Sequence, residues 1–287
     1  MNNTNKSHLN EYIKSRPKEI LPTTIKGYEL MFNNIQKEFG IDIDFKKMSL
    51  KDLEYKIEKS EYYKLGTKLK FLIIVNIIRG NDEPKLVKLI EEYKYKTKQA
   101  TDKKTEEVIE QNITFKDLIK DMNEEENDKY YLIKYILIHY GVRNKDLVIN
   151  KTDDKELYNQ YKNNKKDGNL LYVNKNKVYY VRTNYKTKTI YGIKENIIDD
   201  VRFNIIVQNI TNDDSVFVNK NNKTYTDTEI PIYIMRMYNK SFKNSKLSEG
   251  KIYKIIVNHY QKNQEMLKKY ADTRGHSSST QIKTYMA

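Results

Sequence analysis

Residues 270–285, Tyr-Ala-Asp-Thr-Arg-Gly-His-Ser-Ser-Ser-Thr-Gln-Ile-Lys-Thr-Tyr, form the most informative stretch of this 287-residue chain. A glycine-histidine pair, Gly275 and His276, is followed nine residues after the histidine by Tyr285. The serine and threonine residues between them favour a helix start, so a short helix is predicted over 280–285. The stretch therefore combines an imidazole with a phenolic hydroxyl at a spacing of nine residues.

The charge of the chain indicates a polyanionic partner. There are 53 Lys and Arg against 39 Asp and Glu, a net charge of +14, and the sequence pI is about 9.4. Residues 240–287 hold ten of the basic residues and three of the acidic ones, so they carry half of the net positive charge. Codon usage in an AT-rich genome also enriches lysine and tyrosine, but it would be expected to spread the charge evenly. The clustering favours nucleic acid as the partner.

Several classes of protein are excluded by composition. The chain has no cysteine, which excludes a disulfide framework, a thiolate metal site and a cysteine nucleophile. The longest apolar run, 71–78, is interrupted by Asn76 and is too short to cross a bilayer. Residues 1–11 are polar and lack the apolar segment of a signal peptide. No membrane partner is expected.

The hydrophobic periodicity predicts a mainly α fold with a small antiparallel β-sheet. Residues 1–14 are expected to be a flexible N-terminus, and residues 15–96 a helical domain of four helices. Residues 97–112 are polar and are interpreted as a linker or as a surface helix between domains. Residues 113–287 are expected to form a second, mostly helical domain. Its sheet is predicted from three short β-branched and aromatic segments: Leu170–Val173, Lys177–Thr183 and Lys188–Ile193.

Two further motifs lie upstream of the glycine-histidine pair. Residues 140–147, Tyr-Gly-Val-Arg-Asn-Lys-Asp-Leu, follow an apolar helix and supply Arg143 in a Gly-x-Arg-x-x-x-Leu context. Residues 185–189, Tyr-Lys-Thr-Lys-Thr, lie between predicted strands and supply Lys186, with Lys188 as its competitor. In the order arginine, lysine, histidine and tyrosine, these motifs resemble the tyrosine recombinases, a family that includes phage integrases and Xer-type recombinases.

The resemblance covers roughly residues 15–287. It implies a helical, SAM-like core-binding domain over 15–96 and a catalytic domain over 113–287. It also implies a site-specific recombinase or integrase that cuts and rejoins double-stranded DNA through a 3′-phosphotyrosyl intermediate, with no metal, ATP or other cofactor. The family assembles four protomers on two duplexes, so a homo-oligomer and an intracellular, DNA-associated location are expected. The residue usage also resembles that of integrase-like proteins of large DNA viruses.

The resemblance assigns a role to each motif residue. Tyr285 would attack phosphorus and expel a 5′-hydroxyl, which receives its proton from Lys186. Arg143 and His276 would stabilise the negative charge that gathers on the non-bridging oxygens in the transition state.

One motif departs from the family pattern. The family has His-x-x-Arg about 23 residues before the histidine, and the nearest match here is Lys251-Ile-Tyr-Lys254, one residue out of register. Lys254 is one candidate for the role of the second arginine, and Arg236 and Arg274 are the others. Lys251, in the position of the motif histidine, would help to position or deprotonate the tyrosine. Lysine is a point charge and cannot reproduce the planar fork of arginine.

This departure leaves three other functions open. The first is a DNA-binding relative of the family that no longer cuts. The second is a topoisomerase of the type IB kind, although the helical N-terminal domain argues for a recombinase. The third is a basic scaffold without enzymatic activity, in which case the C-terminal motif would be a coincidence.

Overall fold

The protein is described from a computed structural model, which divides into two compact units, Met1–Lys104 and Thr105–Ala287. The residues that it describes are 2–16, 22–40, 43–60, 63–81, 83–109, 113–211, 215–219, 221–243, 245–275 and 277.

The first unit is helical, and its core surrounds α4. Its helices are α1 (Asn2–Ser15), α2 (Pro22–Phe39), α3 (Leu50–Lys59), α4 (Leu65–Ile78) and α5 (Pro84–Ile109), the last of which crosses into the second unit. Helix α4 is apolar along most of its length and buries six of its fourteen residues, as a central helix requires. Helix α3 begins after Ser49, whose hydroxyl accepts a hydrogen bond from the Asp52 N–H at 3.1 Å.

The N-terminus differs from the sequence-based expectation. Residues 1–14 were expected to be flexible, but α1 occupies Asn2–Ser15. Leu9 is buried in the core of the first unit, and the Asn5 side chain donates a hydrogen bond to the Ile43 carbonyl at 2.7 Å. Leu9, Tyr12 and Ile13 are few among polar residues, so the periodic pattern is too weak to predict a packed helix.

The stretch interpreted as a linker or a surface helix is helical up to Ile109, as the second half of α5. Residues 96–109 contain neither proline nor glycine, and eight of the fourteen are lysine, glutamate, glutamine or alanine, which favour helices. Residues 110–112 lie outside the described part of the chain.

The second unit is built around α7, which buries nine of its thirteen residues. Contacts with α6, α10, α12 and α13 cover it. The helices of this unit are α6 (Phe115–Asn123), α7 (Asp128–Tyr140), α8 (Lys155–Lys162), α9 (Lys188–Tyr191), α10 (Val201–Gln208), α11 (Ile230–Ser241), α12 (Glu249–Tyr260) and α13 (Gln264–Arg274), with a 3-10 turn at Asn144–Leu147. Within the described ranges, no helix has both the length and the apolar character that crossing a membrane would require.

The sheet has four strands in the order β1-β2-β3-β4. They are β1 (Ile149–Thr152), β2 (Asn169–Asn174), β3 (Lys177–Arg182) and β4 (Lys194–Ile198). The last three pair antiparallel, whereas β1 pairs parallel to β2. The predicted class, mainly α with a small sheet, is confirmed, and the parallel edge strand makes the sheet mixed.

The third predicted strand is displaced along the chain. The strand was expected over 188–193, but Lys188–Tyr191 form the short helix α9 and the strand is β4. The reason is burial, because Ile190 is 74% exposed whereas Ile198 is fully buried. The β-branched residues over 188–191 therefore do not pack into a hydrophobic core, and none of these four residues is buried.

Candidate active site

The C-terminal end of α13, which we call the α13 end (Thr273–Gly275), is where the predicted arginine and lysine motifs meet. Its three carbonyl oxygens each accept a hydrogen bond from a residue far away in the sequence. The donor–acceptor pairs are Arg182 Nη2 to Thr273, Arg143 Nη1 to Arg274 at 3.2 Å and Thr187 Oγ1 to Gly275 at 2.7 Å. Between 88 and 131 residues separate the partners.

A helix end attracts such donors for a general reason. The last carbonyls of a helix have no partner within it, and the macrodipole places partial negative charge there. Two arginines and a hydroxyl satisfy the α13 end and stabilise that charge. The contacts therefore fix the point at which the chain enters the predicted glycine-histidine motif.

Gly275 ends α13 in a conformation that favours glycine. Its φ is +71°, and a Cβ atom added there would lie 2.7 Å from Thr187 Oγ1 and 2.8 Å from Tyr185 Cε2. Both the left-handed backbone and the close approach of the 185–187 turn require a residue without a side chain. This accounts for the glycine that precedes His276.

Gly141 plays the same part before Arg143. It ends α7 with a φ of +55°, and its N–H donates to the Leu137 carbonyl at 3.1 Å. An added Cβ would lie 2.8 Å from ring atoms of both Tyr253 and Tyr270. The chain turns sharply here, which presents the half-buried Arg143 to the α13 end.

A buried ion pair lies behind Arg143. Asp146 Oδ2 accepts the Arg143 backbone N–H at 3.1 Å and lies 3.6 Å from Arg182 Nη1. Neither side chain of the pair is exposed to solvent. Burial raises the pKa of Asp146, and the nearby Arg182 guanidinium opposes that rise.

Sequence analysis did not single out this pair. Asp146 belongs to the quoted motif, yet no role was assigned to it, and Arg182 is the last residue of β3. A charged residue that ends an otherwise apolar strand was the only available signal. The pair ties the turn that carries Arg143 to the strand that leads into the lysine motif.

Arg274, one of the candidates for the second arginine, is bound to protein groups. It is 3% exposed, and its Nη1 donates to the carbonyls of Gly141 at 2.5 Å and Val142 at 3.4 Å. Its Nη2 forms an ion pair with Glu249, and its guanidinium carbon lies 3.9 Å from the centre of the Tyr253 ring. The sequence motif gave no sign of this burial.

The two candidate lysines of the 185–189 motif have different surroundings. Lys186 is exposed in the turn after β3, and both of its chain neighbours contact the α13 end. Lys188 is half-buried at the start of α9, with its Nζ 2.5 Å from an oxygen of Asp167. Because Asp167 engages the Lys188 ammonium in an ion pair, Lys186 is kept as the first candidate for the leaving-group acid.

The other cationic candidates lie on α11 and α12. Arg236 is exposed on α11, and Lys251 and Lys254 are half-buried on α12. The residue 23 positions before His276 is Tyr253, which is buried and stacks on Tyr270 with ring centres 5.3 Å apart. An aromatic ring therefore occupies the register of the second family arginine.

Two predicted catalytic residues, His276 and Tyr285, lie outside the described residues, and their roles stay predictions. The same holds for the helix predicted over 280–285. Within the described ranges, no three His, Cys, Asp or Glu side chains are grouped so as to hold a metal ion.

Comparisons with known proteins give only a distant likeness to solved structures. No family model matches the chain, and no curated protein matches it. The crystal structure of XerA recombinase is similar over 99% of this chain and 94% of that chain, with 14% sequence identity and a TM-score of 0.38. A functional proposal has to rest on this chain's own residues.

Proposed function

We propose that this protein is a tyrosine-type DNA strand transferase, a recombinase or integrase that cuts and rejoins DNA through a 3′-phosphotyrosyl intermediate. One observation carries the proposal. Arg143 and Thr187 belong to the two motifs that resemble the family in sequence. Arg143 donates a hydrogen bond to the carbonyl of Arg274, and Thr187 donates one to the carbonyl of Gly275. Arg274 and Gly275 are the two residues directly before His276. A coincidental set of motifs would not be expected to meet at one helix end.

The proposed reaction is a pair of transesterifications. The Tyr285 oxygen bonds to phosphorus, its proton passes to a base such as Lys251, and the bond to the 5′-oxygen breaks. Lys186 protonates the departing 5′-oxygen. A 5′-hydroxyl of another strand then reverses both steps. One phosphoester bond replaces another, so neither ATP nor a metal is part of the proposal.

The anchored arginine suits charge stabilisation. A donor that is held in place before the reaction stabilises developing charge without the cost of reorganisation. The contacts of Arg143 with Arg274 and Asp146 hold it in that way. Arg143 and His276 bind the non-bridging oxygens in this proposal, and the second cationic role belongs to Lys254, Arg236 or Arg274.

The proposed partner is double-stranded DNA. The concentration of positive charge in residues 240–287 supports this assignment, since lysine and arginine neutralise backbone phosphates. Assembly of four copies on two duplexes and an intracellular, DNA-associated location complete the proposal, and both follow from the family resemblance.

A second candidate function is a DNA-binding relative that does not cut. Its support is the replacement of the second arginine, because Tyr253 occupies the register and the Arg274 guanidinium is engaged by Glu249. A site with a single anchored arginine would bind phosphate with little stabilisation of the transition state.

A nicked suicide duplex separates the two candidates, because loss of the short strand beyond the nick traps the covalent 3′ intermediate. Wild type is expected to form an adduct that resists denaturation, and Tyr285→Phe is expected to form none. Tyr95→Phe, an exposed tyrosine on α5, is the matched control and should retain the adduct. Arg143→Ala should slow adduct formation by about 10²- to 10³-fold.

The other outcomes are equally informative. Binding of DNA without any adduct would favour the non-cutting relative. Relaxation of supercoiled plasmid without strand exchange would favour a topoisomerase. Failure to bind DNA at all would contradict both candidates.

A further inference from the structure

The turn that carries Arg143 is held from two sides by Arg274. The Arg274 guanidinium donates to the carbonyls of Gly141 and Val142, the two residues directly before Arg143. In return, the Arg274 carbonyl accepts a hydrogen bond from Arg143 Nη1 at 3.2 Å. One residue therefore contacts both the backbone before Arg143 and the Arg143 side chain.

The Arg274 guanidinium is itself fixed. It is buried, it pairs with Glu249 at the start of α12, and it lies over the ring of Tyr253. Moving it toward a DNA phosphate would leave the largely buried Glu249 carboxylate without its partner. Breaking a buried pair in this way is strongly destabilising, because it leaves one buried charge without compensation. That cost argues against Arg274 as a phosphate ligand.

The geometry of the contact suits arginine in particular. A planar guanidinium presents several N–H donors in fixed directions, so it can bind two carbonyls and a carboxylate at once. A lysine offers a single point charge on a flexible stem and cannot span the same acceptors.

We infer that Arg274 is a positioning residue, which orients Arg143 for the reacting phosphate and does not bind that phosphate itself. This inference rests on the proposed function of the site. It removes Arg274 from the candidates for the second cation. Lys254 and Arg236 remain.

A double-mutant cycle tests the inference. Arg274→Gln is expected to slow adduct formation on saturating suicide substrate by at least about tenfold, since a small displacement of a catalytic group is enough for such a loss. In an Arg143→Ala background the same change should cost less than about twofold, because the group that it positions is gone. Equal losses in both backgrounds would overturn the inference, since they would mean that Arg274 acts independently of Arg143.

Arg79→Gln is the matched control. Arg79 is a similarly buried arginine of the first unit, bonded to the carbonyls of Phe45 and Met48 and paired with Glu83. Its effect on adduct formation is expected to combine additively with that of Arg143→Ala, because the partners that the structure gives it, Phe45, Met48 and Glu83, all belong to the first unit. Arg274→Lys covers the case in which the glutamine variant does not fold. This variant keeps the positive charge, but it should still slow adduct formation, since lysine cannot span the same acceptors.

Hydrogen exchange supplies a readout that does not need catalysis. The amides of Gly141, Arg143 and Asp146 are hydrogen-bonded, so the peptide over 141–147 should be protected in wild type. Exchange in Arg274→Gln or Arg274→Lys should be faster in that peptide and unchanged in the first unit. Unchanged exchange at 141–147 would overturn the inference. If wild type forms no adduct while this exchange still responds, the proposed function fails and the positioning contact stands.

Discussion

Gly275→Ala tests whether the close approach at the α13 end is as the structure describes it. The added Cβ would lie 2.7 Å from Thr187 Oγ1 and 2.8 Å from the Tyr185 ring, and the φ of +71° is unfavourable for alanine. Thr187 is held by its bond to the Gly275 carbonyl, and Tyr185 by its hydroxyl bond to the Gly192 carbonyl at 2.6 Å. Neither neighbour can move without losing that contact.

The expected loss has two parts. A left-handed backbone costs a residue with a Cβ about 1–2 kcal/mol. Forcing extra atoms into a filled space costs typically about 1–3 kcal/mol. Alanine also reduces the entropy of the unfolded chain, which returns about 0.4–1 kcal/mol. The net expectation is a decrease in the free energy of unfolding of about 1–5 kcal/mol.

The measurement is urea unfolding followed by far-UV circular dichroism. Gly250→Ala is the control, since Gly250 is in the first turn of α12 and has no atom within 4 Å of an added Cβ. That change should leave the stability unchanged or raise it by up to about 1 kcal/mol, because alanine is the better helix former. Equal midpoints for the two variants would refute the described packing at the α13 end.

Three further predictions concern the stability of the second unit and the binding of DNA. Asp146→Asn should lower the free energy of unfolding by about 3–5 kcal/mol, since it leaves the buried Arg182 guanidinium without its carboxylate. The control is Asp153→Asn, at an exposed position, which should change the urea midpoint little. Thr187→Val should cost about 1–3 kcal/mol through the lost hydrogen bond to the α13 end, whereas the exposed Thr189→Val should be nearly neutral in the same assay. DNA affinity, measured by fluorescence anisotropy, should fall steeply with salt, by about 10³- to 10⁵-fold between about 50 and 200 mM if some 6–10 phosphates are contacted. A flat salt profile would contradict a phosphate-binding surface.

The sequence indicates those features of the candidate site that depend on a local pattern. Gly141 before Arg143 and Gly275 before His276 are both parts of the sequence motifs. In the structure each has a positive φ, and a Cβ added to either would lie within 3 Å of a neighbouring side chain. The apolar helix before Arg143 is α7, the centre of the second unit. Such features depend on a few consecutive residues, so one sequence is enough to identify them.

The buried charges could not be predicted in the same way. Arg182 and Arg274 resemble the chain's many surface cations in sequence. Only the folded structure brings each of them to a carboxylate, and Arg182 also to the α13 end. Their partners, Asp146 and Glu249, are separated from them by 36 and 25 residues. Tertiary contacts of this kind leave no periodic signal.

The placement of Tyr253 is a further case. Near this position the sequence offers Lys254 as the second cation, one residue out of register with the family motif. In the structure the ring of Tyr253 covers Arg274 and stacks on Tyr270, so helix α12 presents an aromatic residue to the site. The role of the second cation therefore stays a prediction for Lys254 or Arg236.

The most direct test of the central claim is the identity of the residue that becomes joined to DNA. The wild-type adduct on the suicide duplex is digested with nuclease and trypsin, and the modified peptide is located by mass spectrometry. Cleavage after Lys283 releases Thr284–Ala287, which contains a single tyrosine. The account predicts that this peptide carries the phosphonucleotide. A modification on any of the other 24 tyrosines, or no adduct from a protein that binds the duplex, would contradict it.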